Sequence, residues 1–71
     1  MLLKEGDKGA EVSEVQKLLS MLGYDLIIDG DFGSKTTRSV KSFQKKYALS
    51  IDGVVGNQTY QTLKSAQKRH L

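Results

Sequence analysis

The sequence predicts an all-α fold, a small bundle of three helices, on three observations. A period of 23 residues aligns residues 29–47 with 52–70, with eight of nineteen positions identical. Three stretches carry apolar residues at helical spacing, and each follows a Gly-x-x-Gly turn: Gly6 to Gly9, Gly30 to Gly33 and Gly53 to Gly56.

In the first stretch Val12, Val15, Leu18, Leu19 and Leu22 form one stripe, and Gly23 stands where a helix commonly ends. In the second, Val40, Phe43 and Tyr47 keep i, i+3, i+7 spacing, with Ser34 as the expected N-cap; in the third, Leu63 and Ala66 take the equivalent core positions, with Asn57 as N-cap. The helices are therefore expected near 9–22, 34–47 and 57–69. Between them, Tyr24 to Ile28 and Leu49 to Ile51 read as buried connectors that form at most a minimal ladder with each other. Each repeat opens on Asp-Gly, because Asp bonds its own backbone and Gly accepts positive φ.

A chain of 71 residues with 38% hydrophobic content makes one domain, residues 1–71, at the small end of what folds alone. With no cysteine, neither disulfides nor thiolate zinc can supplement the core. The first residues, Met1-Leu2-Leu3-Lys4-Glu5, meet charge too soon for a secretory signal or a membrane span. Charge is divided along the chain: residues 1–34 hold three Lys and seven acids, net −4, and residues 35–71 hold eight basic residues and Asp52, net +7. Such a basic half suits an anionic polymer, or is simply the solvated outer face of two helices.

Groups for catalysis are missing from the pattern. His70 is the sole histidine and stands beside the terminus, so Ser-His and zinc constellations have no basis. Asp29 and Asp31 suggest a calcium loop, but Gly33 falls where a third ligand belongs and Val40 where a bidentate Glu is required. No metal or cofactor is expected.

The run Gly6-x-x-Gly9-x-x-Val12-x-x-x-Gln16, then Leu22-Gly23-Tyr24, then Asp29-Gly30-x-Phe32-Gly33-x-x-Thr36 through Val40, Phe43 and Gln44, then Asp52-Gly53-Val54-Val55-Gly56-x-x-Thr59 with Leu63, resembles the peptidoglycan-binding domain type 1 family. The resemblance covers about residues 2–66. It implies a three-helix fold without catalytic residues, non-covalent affinity for cell-wall glycopeptide outside the cell, and attachment to wall hydrolases such as amidases, muramidases or phage endolysins. Where that family often has Pro after the last Gly of each turn, this chain has Ser34 and Asn57; where it often has Trp, this chain has Tyr60.

The expected ligand-binding residues are Asp29, Gly30, Phe32, Asp52, Gly53 and Tyr60, lining one shallow groove. The two carboxylates would accept hydrogen bonds from sugar hydroxyls or peptide amides, and Tyr60 would offer a ring face. Each has a structural alternative: the Asp close their turns, Phe32 plugs the core, and Tyr60 lines it. Gln44 and Gln67 could bridge helices or bind. The expected partner is peptidoglycan, with a tethered catalytic domain. Among rivals, nucleic-acid binding is opposed by Asp29 and Asp31 in the turn that would have to clamp phosphate. A docking or propeptide-like role on an associated enzyme is the other.

Overall fold

The computed structural model describes residues 2–70, with side chains through Lys68, so the His70 side chain lies outside the described residues. Three helices follow in chain order: α1 Ala10–Met21, α2 Ser34–Lys46 and α3 Asn57–His70. The expected spans hold to within one residue at each end. α1 packs against both of the others in a body of 28 × 23 × 20 Å.

The core is the set of residues that the periodicity placed inward. Val12, Val15 and Leu19 of α1, Val40 and Phe43 of α2, and Leu63 and Ala66 of α3 are buried, joined by Leu3, Phe32 and Val55 from outside the helices. Burying a valine, leucine or phenylalanine side chain contributes about 1.5–3 kcal/mol, so these residues supply the main driving force for folding in a chain without disulfides. Aromatic packing closes one end: the Tyr24 ring meets Phe43 edge-on at 6.3 Å, and Tyr47 lies 4.6 Å from Phe43 on its other side.

The helix starts correct one expectation. Ser34 and Asn57 are the first helical residues, not the caps. The cap positions belong to the second Gly of each turn, whose carbonyls take the first helical hydrogen bonds: Ser13 N–H to Gly9, Thr37 N–H to Gly33 and Tyr60 N–H to Gly56. Glycine serves almost as well as threonine at this position.

The helix ends use one device twice. After α1, Gly23 N–H bonds Ser20 O and Tyr24 N–H bonds Leu19 O; after α2, Ala48 N–H bonds Lys45 O and Leu49 N–H bonds Gln44 O. This double closure needs a left-handed residue just past the cap. Gly23 supplies it at φ 98°, whereas Ala48 is forced to φ 58°.

Expected to be buried and to form at most a minimal ladder, the two connectors make no bridge to each other and are largely exposed. Ile27, Ile28 and Ile51 lie on the surface, because only Tyr24, Leu26 and Leu49 turn toward the core. Instead the N-terminal segment, Leu3 to Gly9, makes the only bridges among the described residues. Leu3 exchanges both backbone hydrogen bonds with Val55, while Gly6 donates to Phe32 O, Phe32 to Asp7 O and Gly9 to Gly30 O. The extended peptides that carry the plugs Phe32 and Val55 have polar edges to satisfy, and one strand-like segment satisfies both.

Candidate functional site

The two Asp-Gly turns have the same internal chemistry. In the first, Asp29 Oδ1 accepts from Asp31 N–H at 2.9 Å and from the Gln16 side-chain amide at 3.1 Å. In the second, Asp52 Oδ1 accepts from Val54 N–H at 3.0 Å and from the Gln44 amide at 2.9 Å. Each glutamine, fully buried, uses every part of its amide. Gln16 Oε1 accepts from Asp29 and Gly30 N–H, and its Nε2 also donates to Asp31 O and Thr36 Oγ1. Gln44 does the same for Asp52 and Gly53 N–H, Val54 O and Thr59 Oγ1. Corresponding distances in the two turns agree to within 0.2 Å.

These bonds set the electrostatics. The backbone N–H of Asp31, followed by the Gln16 amide, stabilises the ionised carboxylate of Asp29 and holds its pKa below the ordinary value. Val54 N–H and the Gln44 amide do the same for Asp52. The geometry requires glycine next to each Asp. Gly30 has φ +76°, and a Cβ there would meet Ser13 Oγ at 2.9 Å and Gly9 O at 3.3 Å. Gly53 has φ +73° and would press a Cβ on Thr37 and Lys41, each at 3.1 Å.

Beside each turn, where the next helix begins, is an open cleft. The first, of about 200 Å³, is lined at seven positions from Ile27 to Thr36, including Asp29, Asp31 and Lys35. The second, of about 250 Å³, contains the same seven positions 23 residues on, from Ser50 to Thr59, including Asp52, Val54 and Gln58. Leu2 and Leu49 extend it. Exposed isoleucines precede both carboxylates, Ile28 before Asp29 and Ile51 before Asp52. A third depression, of about 290 Å³, separates Tyr24 and Asp25 from Lys35, Arg38, Ser39 and Ser42 of α2.

Among the six expected site residues, Asp29 and Asp52 are exposed but line separate clefts rather than one groove. Gly30 is half-buried and Gly53 buried; both shape their turns. Phe32 is 1% exposed and packs in the core. Tyr60 borders neither cleft: its hydroxyl donates to Glu14, tying α3 to α1, and Lys64 Nζ sits over the ring 5.4 Å from its centre. Gln16, in the middle of α1, was not among the expected site residues, although it stands in the motif that follows the first glycine turn. Gln67 bridges helices, donating to Leu18 O at 2.8 Å.

No described helix is long and apolar enough to cross a membrane. Known proteins resemble the chain closely. The SleB N-terminal domain superposes with a TM-score of 0.90 at 36% identity, covering 93% of this chain and 92% of that one. A Burkholderia AP3 phage endolysin gives 0.89 at 39% identity, covering 93% of this chain but 26% of the endolysin. The type VI secretion system spike protein VgrG3 of Vibrio cholerae is 45% identical over 47 residues, 62% of this chain. The chain spans 5% of that curated relative's length. The family model of the peptidoglycan binding domain matches residues 8–63, a stretch that contains both turns, both buried glutamines and most of the three helices. The chain belongs to the peptidoglycan binding domain family, whose members act in the cell wall or periplasm.

Proposed function

We propose that the chain is a non-catalytic adhesion module that holds an associated wall hydrolase on peptidoglycan, outside the cytoplasm. The observation that carries the reading is geometric. Two exposed turn carboxylates lie in separate clefts, each fixed as an acceptor by a backbone N–H of its own turn and by a buried glutamine amide. Neither faces a second carboxylate on the helical turn that forms the other wall of its cleft. Cleaving a glycosidic bond requires a carboxylic acid that stays protonated near neutral pH, which an apolar cleft provides by raising its pKa. Asp29 and Asp52 are held the other way, ionised and exposed, by donors that the turn itself supplies. Such carboxylates accept hydrogen bonds; they do not give up protons.

The same fold fills almost all of one solved neighbour and about a quarter of the endolysin, which supports a unit that longer wall enzymes carry alongside other domains. In this reading Asp29 and Asp52 present acceptors to sugar hydroxyls and peptide amides. Gly30, Gly53 and the buried Phe32 fix the turns that aim them, and Tyr60 braces α3 against α1.

Fusing the chain to a muramidase catalytic domain that lacks a binding module tests the proposal. The fusion should clear insoluble sacculi at least about tenfold faster than the bare catalytic domain at limiting enzyme, while hydrolysing soluble fragments at the same rate, because tethering raises only the local concentration of enzyme on the polymer. Equal clearance of sacculi by both proteins would contradict anchoring.

A further inference from the structure

The geometry points to two related subsites, one beside each Asp-Gly turn, which together hold two parts of a single wall polymer. The inference rests on the adhesion reading above and goes beyond it, from one shared groove to a bivalent surface.

Three observations carry it. First, the clefts are duplicated residue for residue, since all seven lining positions of the first recur 23 residues later in the second. Each has an Asp acceptor on one wall and the first turn of a helix on the other, and each turn is locked by a buried glutamine in the same hydrogen-bond pattern. Stability alone asks that the turns be rigid; it does not ask that the exposed space beside them be kept open twice.

Second, the clefts are close and fixed relative to one another. The Leu3 amide bonds Val55 O and the Gly6 amide bonds Phe32 O. Three residues separate those amides, a reach of about 11 Å when fully extended. The two turns therefore lie side by side along one short segment, in a body at most 28 Å long. A polymer that fills both must therefore have successive units that span no more than the length of this body.

Third, the clefts share a framework and differ in charge. Asp31 and Lys35 of the first stand where the second has Val54 and Gln58. The first suits a unit with both an ammonium and a carboxylate, as a peptide stem can carry. The second suits a neutral amide or sugar. Binding at the first should weaken with salt, and binding at the second should not.

Two bonded subsites convert the second contact into an intramolecular one, so avidity for the polymer exceeds affinity for a single unit by about 10²–10⁴. The test titrates the 71-residue protein with a soluble disaccharide-peptide monomer while following backbone amides by NMR, and measures retention on purified sacculi. Expected are two monomers per protein, with shifts in both Gly33 to Thr36 and Gly56 to Thr59. Lys35→Trp and Gln58→Trp, at exposed cleft positions, should each reduce the stoichiometry to one and weaken sacculus retention at least tenfold. The double variant should bind neither. If the wild type is retained on sacculi but shifts only one set of amides, or if neither tryptophan variant alters retention while the folded amide spectrum persists, the pairing of subsites is wrong and the adhesion reading stands. If the wild type is not retained at all, both are wrong.

Discussion

Replacing Gln44 by methionine keeps the length of a fully buried side chain and removes every polar group with which it holds the second turn. Five hydrogen bonds disappear. Asp52 N–H and Val54 O lie near the surface, where water can replace the glutamine. The Gly53 N–H and the Thr59 hydroxyl are buried and lose their partner outright. A buried polar group left unpaired costs about 1–3 kcal/mol, so the variant should lose about 3 kcal/mol. A 71-residue domain has about 4–11 kcal/mol in total, so the change removes much of it. With an m-value of about 1 kcal/mol/M in urea, the midpoint followed by circular dichroism at 222 nm should fall by about 3 M. Gln16→Met should cost less by about 1 kcal/mol, because Gly30, unlike Gly53, is half-buried and water can reach its N–H once the glutamine is gone. A loss below about 1 kcal/mol in either variant, with unchanged m, would refute the view that these amides hold the turns.

The remaining predictions follow from the same contacts. Gln44→Glu places a carboxylate beside Asp52 and Val54 O; its folded-state pKa is raised above the ordinary value of about 4.3, so the stability it retains is present below that pH and is lost as pH rises through the folded value, seen as a urea midpoint that falls between acid and neutral pH. Asp29 and Asp52 have the opposite sign: their depressed pKa values contribute stability above about pH 3.9 that is lost as pH falls through the folded values, so the Asp29→Asn, Asp52→Asn double variant should show a shallower acid limb in thermal melts. Ala48→Gly relieves a left-handed alanine and should raise stability by about 0.5–1 kcal/mol, after the flexibility that glycine adds to the unfolded chain. Tyr60→Phe removes the tie to Glu14 but touches neither cleft, so sacculus binding should stay within about twofold of wild type, whereas Asp29→Ala should weaken it; equal losses would return Tyr60 to the binding surface.

Much of this fold was legible because its helices obey local rules. The stripe from Val12 to Leu19 and the pair Val40 and Phe43 follow helical spacing and are buried. Gly23 ends α1 as its place after Leu22 indicated. What the residue pattern does not carry depends on contacts between distant residues. The 23-residue period pairs Gln44 with Gln67, yet the contacts pair Gln44 with Gln16, which lies 28 residues earlier. The cause is connector length: Gln16 grips a turn 13 residues ahead, across a long link after α1, and Gln44 one 8 residues ahead. Gln67 reaches back to Leu18 O instead. The N-terminal bridges to Val55 and Asp31 were equally hidden, because Leu3 has no local signature of pairing 52 residues away.

The site was legible in its residue types and not in its arrangement. Repetition singled out Asp29 and Asp52 correctly as turn residues, but sequence carries no sign that their turns would open onto two clefts instead of one groove. Phe32 and Val55 align in the repeat and share a buried role. Tyr60 has no aromatic counterpart, and its contact with Glu14 crosses 46 residues. Such a tie between helices becomes visible only when α3 is laid against α1.

The central claim, that this surface adheres to peptidoglycan and leaves it intact, is tested most directly by sedimenting the purified chain with sacculi stripped of teichoic acids while following their turbidity. The account predicts that the protein pellets with the sacculi at physiological and at moderately raised salt, and that the turbidity does not fall. Protein left in the supernatant at physiological salt, complete release from the pellet at moderate salt, or clearing of the suspension would contradict it.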